Sequence, residues 1–259
     1  MMRRIGFAGL VVLLLLVLGS TGSAFNPNAA VDGNISRANR NPAGLMGLKT
    51  PEFGFQLRIV SQESGEEAEA GEPATYSRQY HLLYAEPDYG TGAGLLHFIY
   101  SDSLRQITYA VADDLAGRVN AGLSLKYINI PGEESKYVST DLGLQVGDFY
   151  LFRLGVLVEN FWHLKVGETE AALPTNVVLG AAVRLGEFGT AAVDVNDVLN
   201  ANSARKLMLG VEIKPFRFLT LRAGWDEGWT AGAGFVYRQI KLGYDWAQGQ
   251  HHLSFGWQF

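Results

Sequence analysis

From Glu52 onward the apolar residues fall on every second position, the period of a β-strand whose two faces meet different surroundings. The first such row is Phe53, Phe55, Leu57, Ile59, followed by Tyr80, Leu82, Tyr84 and by Leu96, Phe98, Tyr100. The last rows are Leu219, Leu221, Ala223, Trp225; Ala231, Ala233, Phe235, Tyr237; Ile240, Leu242, Tyr244, Trp246; and Leu253, Phe255, Trp257, Phe259. Counting the segments between, among them Leu207, Leu209, Val211, Ile213, the pattern predicts about fourteen strands, each near the ~9–11 residues that a tilted membrane strand needs. Short turns such as Gly147-Asp148, Gly186-Glu187 and Gln248-Gly249 point to an up-and-down meander. Two longer joins, Ser61 to Thr75 and Gly167 to Pro174, are expected on the outer side of a membrane.

Alternation alone fits a soluble barrel, apolar inside, or a membrane barrel, apolar outside. Strand number separates them, because diameter grows with strand count and a wide apolar interior could not be filled by side chains. The second face makes the same choice. It carries Gly54, Gly122, Gly143, Gly147, Gly155, Gly180, Gly210, Gly224, Gly232, Gly234, Gly243 and Gly256, which would pack poorly as a core. It also carries the charges: Arg58, Lys126, Arg153, Arg184, Lys214, Arg222, Arg238 and Lys241 with Asp141, Glu159, Asp194, Glu212, Asp226 and Asp245. An Arg or Lys facing lipid at the midplane costs about 2–4 kcal/mol. The expected fold is therefore all-β: a closed antiparallel up-and-down transmembrane barrel of about fourteen strands over residues 51–259, with the charged face lining a lumen. The lumenal glycines either let strands coil or leave room for the N-terminal arm or a ligand.

Upstream, residues 25–50 lack alternation and read as a short irregular arm. Residues 1–24 place Arg3 and Arg4 before the apolar run Ile5 to Leu18 and the small-residue exit Gly19 to Ala24, the layout of a cleaved signal peptide. That run falls short of the ~20 residues of a spanning helix. Its loss takes the formal charge from −5 to −7, which disfavours nucleic acid as a partner. With no cysteine, stability has to come from hydrogen-bonded structure and not from disulfides. Glycine is the compositional anomaly, at 31 residues against 8 prolines, and most of the strand glycines fall on the lumenal face.

Asn41-Pro42-Ala43-Gly44-Leu45, just before the first strand, resembles the segment that ends the N-terminal hatch of FadL-type fatty-acid transporters and of the related PorV/PorQ barrels. The runs Leu221 to Trp225, Ala231 to Phe235, Leu242 to Trp246 and Leu253 to Gly256 look like the closing hairpins of that superfamily. Phe255, Trp257 and the terminal Phe259 resemble the signal by which bacterial outer-membrane barrels engage their assembly machinery. The resemblance implies a fourteen-stranded barrel in the bacterial outer membrane, contacting its lipid, with the arm folded into the lumen. It also implies that Gly90, Gly92 and Gly94 could bend the third strand into a lateral opening; as a bare sequence the run reads first as a flexible turn.

No enzymatic constellation stands out. His81 and His97 share lumenal parity on adjacent strands and read as a histidine pair or as separately hydrogen-bonded lumen residues, with no nucleophile beside them. His251-His252 and Asp194-Val195-Asn196-Asp197 read as turns, the latter lacking the glycine and distal glutamate of a calcium loop. No catalytic residue, metal or cofactor is expected. The expected role is passive passage of hydrophobic or small amphipathic compounds past the arm. The alternative is a non-conducting, PorV-like barrel that serves a protein partner in surface-protein export.

Overall fold

In the computed structural model, residues 29–31, 35, 40–62, 75–131, 135–149, 151–166, 173–201 and 205–259 are described. The expected leader over residues 1–24 and most of the two long joins lie outside them. Among the described residues, fourteen strands follow a short 3-10 helix, Pro42–Gly47. They are β1 (Glu52–Gln62), β2 (Thr75–Glu86), β3 (Ala93–Tyr100), β4 (Arg105–Asp114), β5 (Val119–Ile130), β6 (Ser135–Phe149) and β7 (Phe152–Val166). The second half comprises β8 (Asn176–Arg184), β9 (Gly189–Asn196), β10 (Lys206–Phe216), β11 (Leu219–Asp226), β12 (Trp229–Tyr237), β13 (Ile240–Ala247) and β14 (Gln250–Gln258).

Each strand pairs antiparallel with its sequence neighbours, and β1 closes the ring on β14 from Glu52↔Gln258 to Val60↔Gln250. The terminal strand is thus paired on both edges, leaving no open ladder on so apolar a segment. The backbone N–H of Phe259 donates to the Pro51 carbonyl at 3.1 Å and fastens the seam.

The alternation has the expected sense. In β10 Leu209 is 43% exposed while its neighbour Met208 is 8% exposed, and Leu207, Val211 and Ile213 are exposed with Leu209. Aromatic rings gather at both rims, Trp225 edge-on to Trp229 (5.4 Å) at one, and Phe216 stacked on Phe218 (5.4 Å) at the other. Such girdles suit the two membrane–water interfaces. Connections at the rim holding residues 87–92, 115–118, 150–151, 185–188, 217–218 and 238–239 are all short. The strand ends that flank the longer intervals, Gln62 and Thr75, Val166 and Asn176, and Asn196 and Lys206, lie at the opposite rim, and the short rim also holds both ends of the barrel.

Several expectations are corrected. Gly147 and Asp148 belong to β6, which runs on to Phe149 before β7 begins at Phe152. Asp194 to Asn196 end strand β9, and the chain turns only at Asp197, whose φ is 49°. His251 and His252 lie in β14, on opposite faces, because the tight turn is completed by Gln248 and Gly249, both at positive φ. Arg238 is not a lumen charge: at φ 53° it forms the tight β12–β13 turn, where strand parity does not apply, and its guanidinium lies over the Tyr237 ring at 5.4 Å.

Candidate functional site: the arm and the lumen

Asn41 organises the arm. Its side-chain oxygen accepts from Ala43 N–H at 3.1 Å, capping the 3-10 helix whose first position is Pro42, a residue with no N–H to satisfy. Its amide donates to the carbonyls of Ala29 (2.6 Å) and Val156 (3.5 Å), tying the arm to itself and to β7. Gln145 Nε2 donates to the carbonyls of Ala29 (3.1 Å) and Val31 (3.2 Å), and Ala29 N–H donates to Asp194 Oδ2 at 2.9 Å. Pro42, Ala43, Gly44 and Leu45 are all buried. The arm therefore lies inside the barrel wall.

The wall is flat where the arm crosses it. A Cβ on Gly122 would stand 2.5 Å from the Ala43 nitrogen, one on Gly143 would fall on Asn41 Oδ1, and one on Gly155 would fall on the Ala29 carbonyl. A Cβ on Gly180 would meet the Ala29 methyl at 2.7 Å. These glycines are linked through the register, Gly122↔Gly143 across β5–β6 and Gly155↔Gly180 across β7–β8. At these four positions lumenal glycine makes room for the arm. Farther along, Ile35, Leu45 and Leu48 pack on inward Leu83, Ala85, Ala93, Leu95, Ala110 and Ala112 of β2–β4. The inward face there is apolar, contrary to a uniformly polar lumen, because the arm covers it.

The expected lumen charges sort into groups. Lys126 pairs with Asp141 at 2.7 Å, Arg222 with Asp245 at 2.9 Å and Lys214 more loosely with Glu212 at 3.8 Å. Arg58 donates to Gln250 Oε1 (2.9 Å from Nε), and Glu159 accepts from Asn176 at 2.6 Å. Asp194 holds the arm, while Asp226 sits opposite Met208 near the long-loop rim. Arg153 and Arg184 line a cavity of about 450 Å³ toward the short-turn rim, together with Lys214, Arg222 and Lys241. His81 Nδ1 and His97 Nε2 are 3.1 Å apart with stacked rings, so one ring must donate and the other accept. Among the described residues, no group of three or more His, Cys, Asp or Glu is placed to hold a metal.

Three participants escaped the sequence reading. Glu52, the partner of Lys241 at 2.8 Å, and Gln145, a tether of the arm, both lie on the lumenal parity that marked the other charges. Asn160 gave no such signal: its parity is outward, but a bulge at φ 52° turns it inward. There its oxygen accepts from Lys126 (3.0 Å) and Ser139 (2.8 Å), and its N–H donates to Asp141 (2.9 Å).

Gly90 and Gly92 lie in the turn before β3, at φ 95° and 92°, where only glycine is unstrained. Asp88 Oδ1 accepts from their N–H groups at 2.6 and 2.9 Å, and these bonds, that from Gly92 foremost, hold its carboxyl below the usual carboxylate range. Gly94 lies within β3 and pairs with Glu86 and Val111, so the ladder is continuous on both sides from that point.

No protein-family model matches the chain, and no curated protein matches it in sequence. Solved structures do match in shape. The toluene transporter TbuX of Ralstonia pickettii superposes with a TM-score of 0.62 at 11% identity, covering 94% of this chain and 100% of that one. The toluene transporter TodX of Pseudomonas putida gives 0.60 at 12% identity, over 92% and 96% of the two chains. A FadL homologue of Pseudomonas aeruginosa gives 0.59 at 10% identity, over 93% and 100%. The fold is that of the FadL-type barrels.

Proposed function

We propose that this FadL-type fold serves as a bacterial outer-membrane channel for passive passage of hydrophobic or small amphipathic compounds, with the arm as its gate. The reading is carried by one observation: the arm is seated across the lumen on Gly122, Gly143, Gly155 and Gly180, held by hydrogen bonds and by the packing of Ile35, Leu45 and Leu48 on β2–β4, with a cavity beside it. A solid core would leave no such space beside the arm. The outward apolar rows support placement in a bilayer, since every backbone polar group of a closed barrel is satisfied within the wall. Fold likeness to proteins described as toluene transporters supports the compound class.

Two measurements test this. Cells carrying the barrel in their outer membrane take up a monoaromatic probe faster than cells without it. In planar bilayers, deleting residues 25–48 raises conductance above that of the full chain. Equal uptake together with unchanged conductance overturns the reading; copurification of a secreted protein under those conditions would favour the export-scaffold alternative.

A further inference from the structure

The cavity beside the arm has an asymmetric distribution of charge. Among the described residues its wall carries six cations, Arg153, Arg184, Lys214, Arg217, Arg222 and Lys241, against three carboxylates, Glu52, Glu187 and Glu212. Counting Asp245, paired with Arg222, leaves two positive charges in excess.

Burial is uneven across the ion pairs. In the Lys241–Glu52 pair the lysine side chain is 25% exposed and the glutamate 3%. In the Lys214–Glu212 pair the values are 52% and 7%. In these two pairs the carboxylate is the more buried partner; Arg222 and Asp245 are about equally buried, at 14% and 18% exposed, and Glu187 is exposed. The exposed cations on this space include Lys214 and Arg217, which lie close together in the chain. Low-dielectric walls around such a cleft focus its field and raise the local concentration of counter-ions.

The arm supplies a second kind of surface. Ala30, Val31 and Ile35 border the same cavity with Ala182 of β8, and Ala30, Val31, Ala182 and Ala192 form one small buried cluster. Cations thus stand on the turn side and β10–β13, and aliphatic groups on the arm side. A volume of about 450 Å³ lies within the ~300–1,000 Å³ typical of small-molecule sites.

We propose that this vestibule binds a small organic anion, a carboxylate on a compact apolar body, with the carboxylate toward Lys214, Arg217 and Arg222 and the body against Val31 and Ile35. The proposal rests on the passage reading only in naming what would reach this site; the site itself is a property of the folded chain.

The test is equilibrium binding to the full mature chain in a neutral detergent, read by calorimetry with benzoate, benzyl alcohol and benzylammonium as probes. Benzoate binds saturably and at least tenfold more tightly than benzyl alcohol, and benzylammonium does not bind. Raising salt from 50 to 500 mM weakens benzoate severalfold, as expected for charges in water-accessible space. The double variant Lys214→Gln/Arg217→Gln lowers benzoate affinity about tenfold, whereas Arg238→Gln, outside the lumen, leaves it unchanged. Far-ultraviolet circular dichroism confirms that each variant is a folded barrel. Benzoate binding no tighter than benzyl alcohol, or unaltered in the double variant, overturns the proposal. Because binding is read without a membrane, loss of permeation with intact binding would refute only the channel reading, and the converse only the site.

Discussion

Asn41→Ala is the most informative single perturbation of the gate. The side chain contributes a cap to Ala43 N–H and bonds to the Ala29 and Val156 carbonyls. A lost cap costs about 1 kcal/mol and a lost internal hydrogen bond about 0.5–1.5 kcal/mol net, with the 3.5 Å contact to Val156 the weakest. The sum is about 2 kcal/mol, a shift of roughly thirtyfold between seated and unseated arm. In planar bilayers the fraction of time spent in the high-conductance state rises by about that factor. Gly143 supplies the internal control, because its Cβ position is occupied by Asn41 Oδ1. Gly143→Ala unseats the arm in the natural background and loses much of that effect once Asn41 is alanine, a coupling a double-mutant cycle reads directly. Unchanged conductance in Asn41→Ala, or an equal effect of Gly143→Ala in both backgrounds, would refute the reasoning.

Leu209→Arg, on the exposed row of β10, destabilises the barrel by about 2–4 kcal/mol in urea titrations from lipid vesicles if the site lies near the midplane; an unaltered midpoint would place this row away from lipid. Asp141→Ala strands Lys126, whose side chain is only 13% exposed, and removes acceptors for Ser124 and Asn160, costing about 3–5 kcal/mol in the same titration. The Asp88 carboxyl is held below its ordinary range in the folded state, so its support of the 87–92 turn is complete above that range and fades as pH falls through the lowered value. Hydrogen exchange at Gly90 and Gly92, corrected for intrinsic rates, therefore loses protection at acid pH in the natural chain, and Asp88→Ala shows the unprotected rate at every pH; identical pH profiles for the two chains would exclude the turn bonds as the cause.

Much of the fold was legible because a two-residue period and a one-sided distribution of charge and glycine both follow from a single cause, a wall between lipid and water. The pairs Lys126–Asp141 and Arg222–Asp245 obey it, as do Glu52 and Gln145, which the same parity would have located. The rule fails wherever the backbone leaves the regular pleat. Asn160 is reversed by a bulge, Arg238 occupies a turn, and the pair His251–His252 reads as a turn although it lies in β14, because the preceding turn is tighter than composition suggests. Leu83 and Leu95 break the rule for another reason: they face inward onto an arm that covers them, a contact distant in sequence that no local pattern encodes. The role of the four seat glycines was likewise invisible until the arm's path was known, since glycine that relieves strand coiling and glycine that admits a neighbouring chain look alike in one dimension.

The direction in which the rows of β10 point can be measured residue by residue, because the chain has no cysteine and accepts single thiol labels. Nitroxides placed in turn at 207 to 213 in a lipid bilayer should show high accessibility to oxygen and low accessibility to a water-soluble nickel chelate at 207, 209, 211 and 213, with the opposite order at 208, 210 and 212. A profile without this two-residue period, or with its phase reversed, would contradict a wall that turns its apolar side to lipid and its polar side inward.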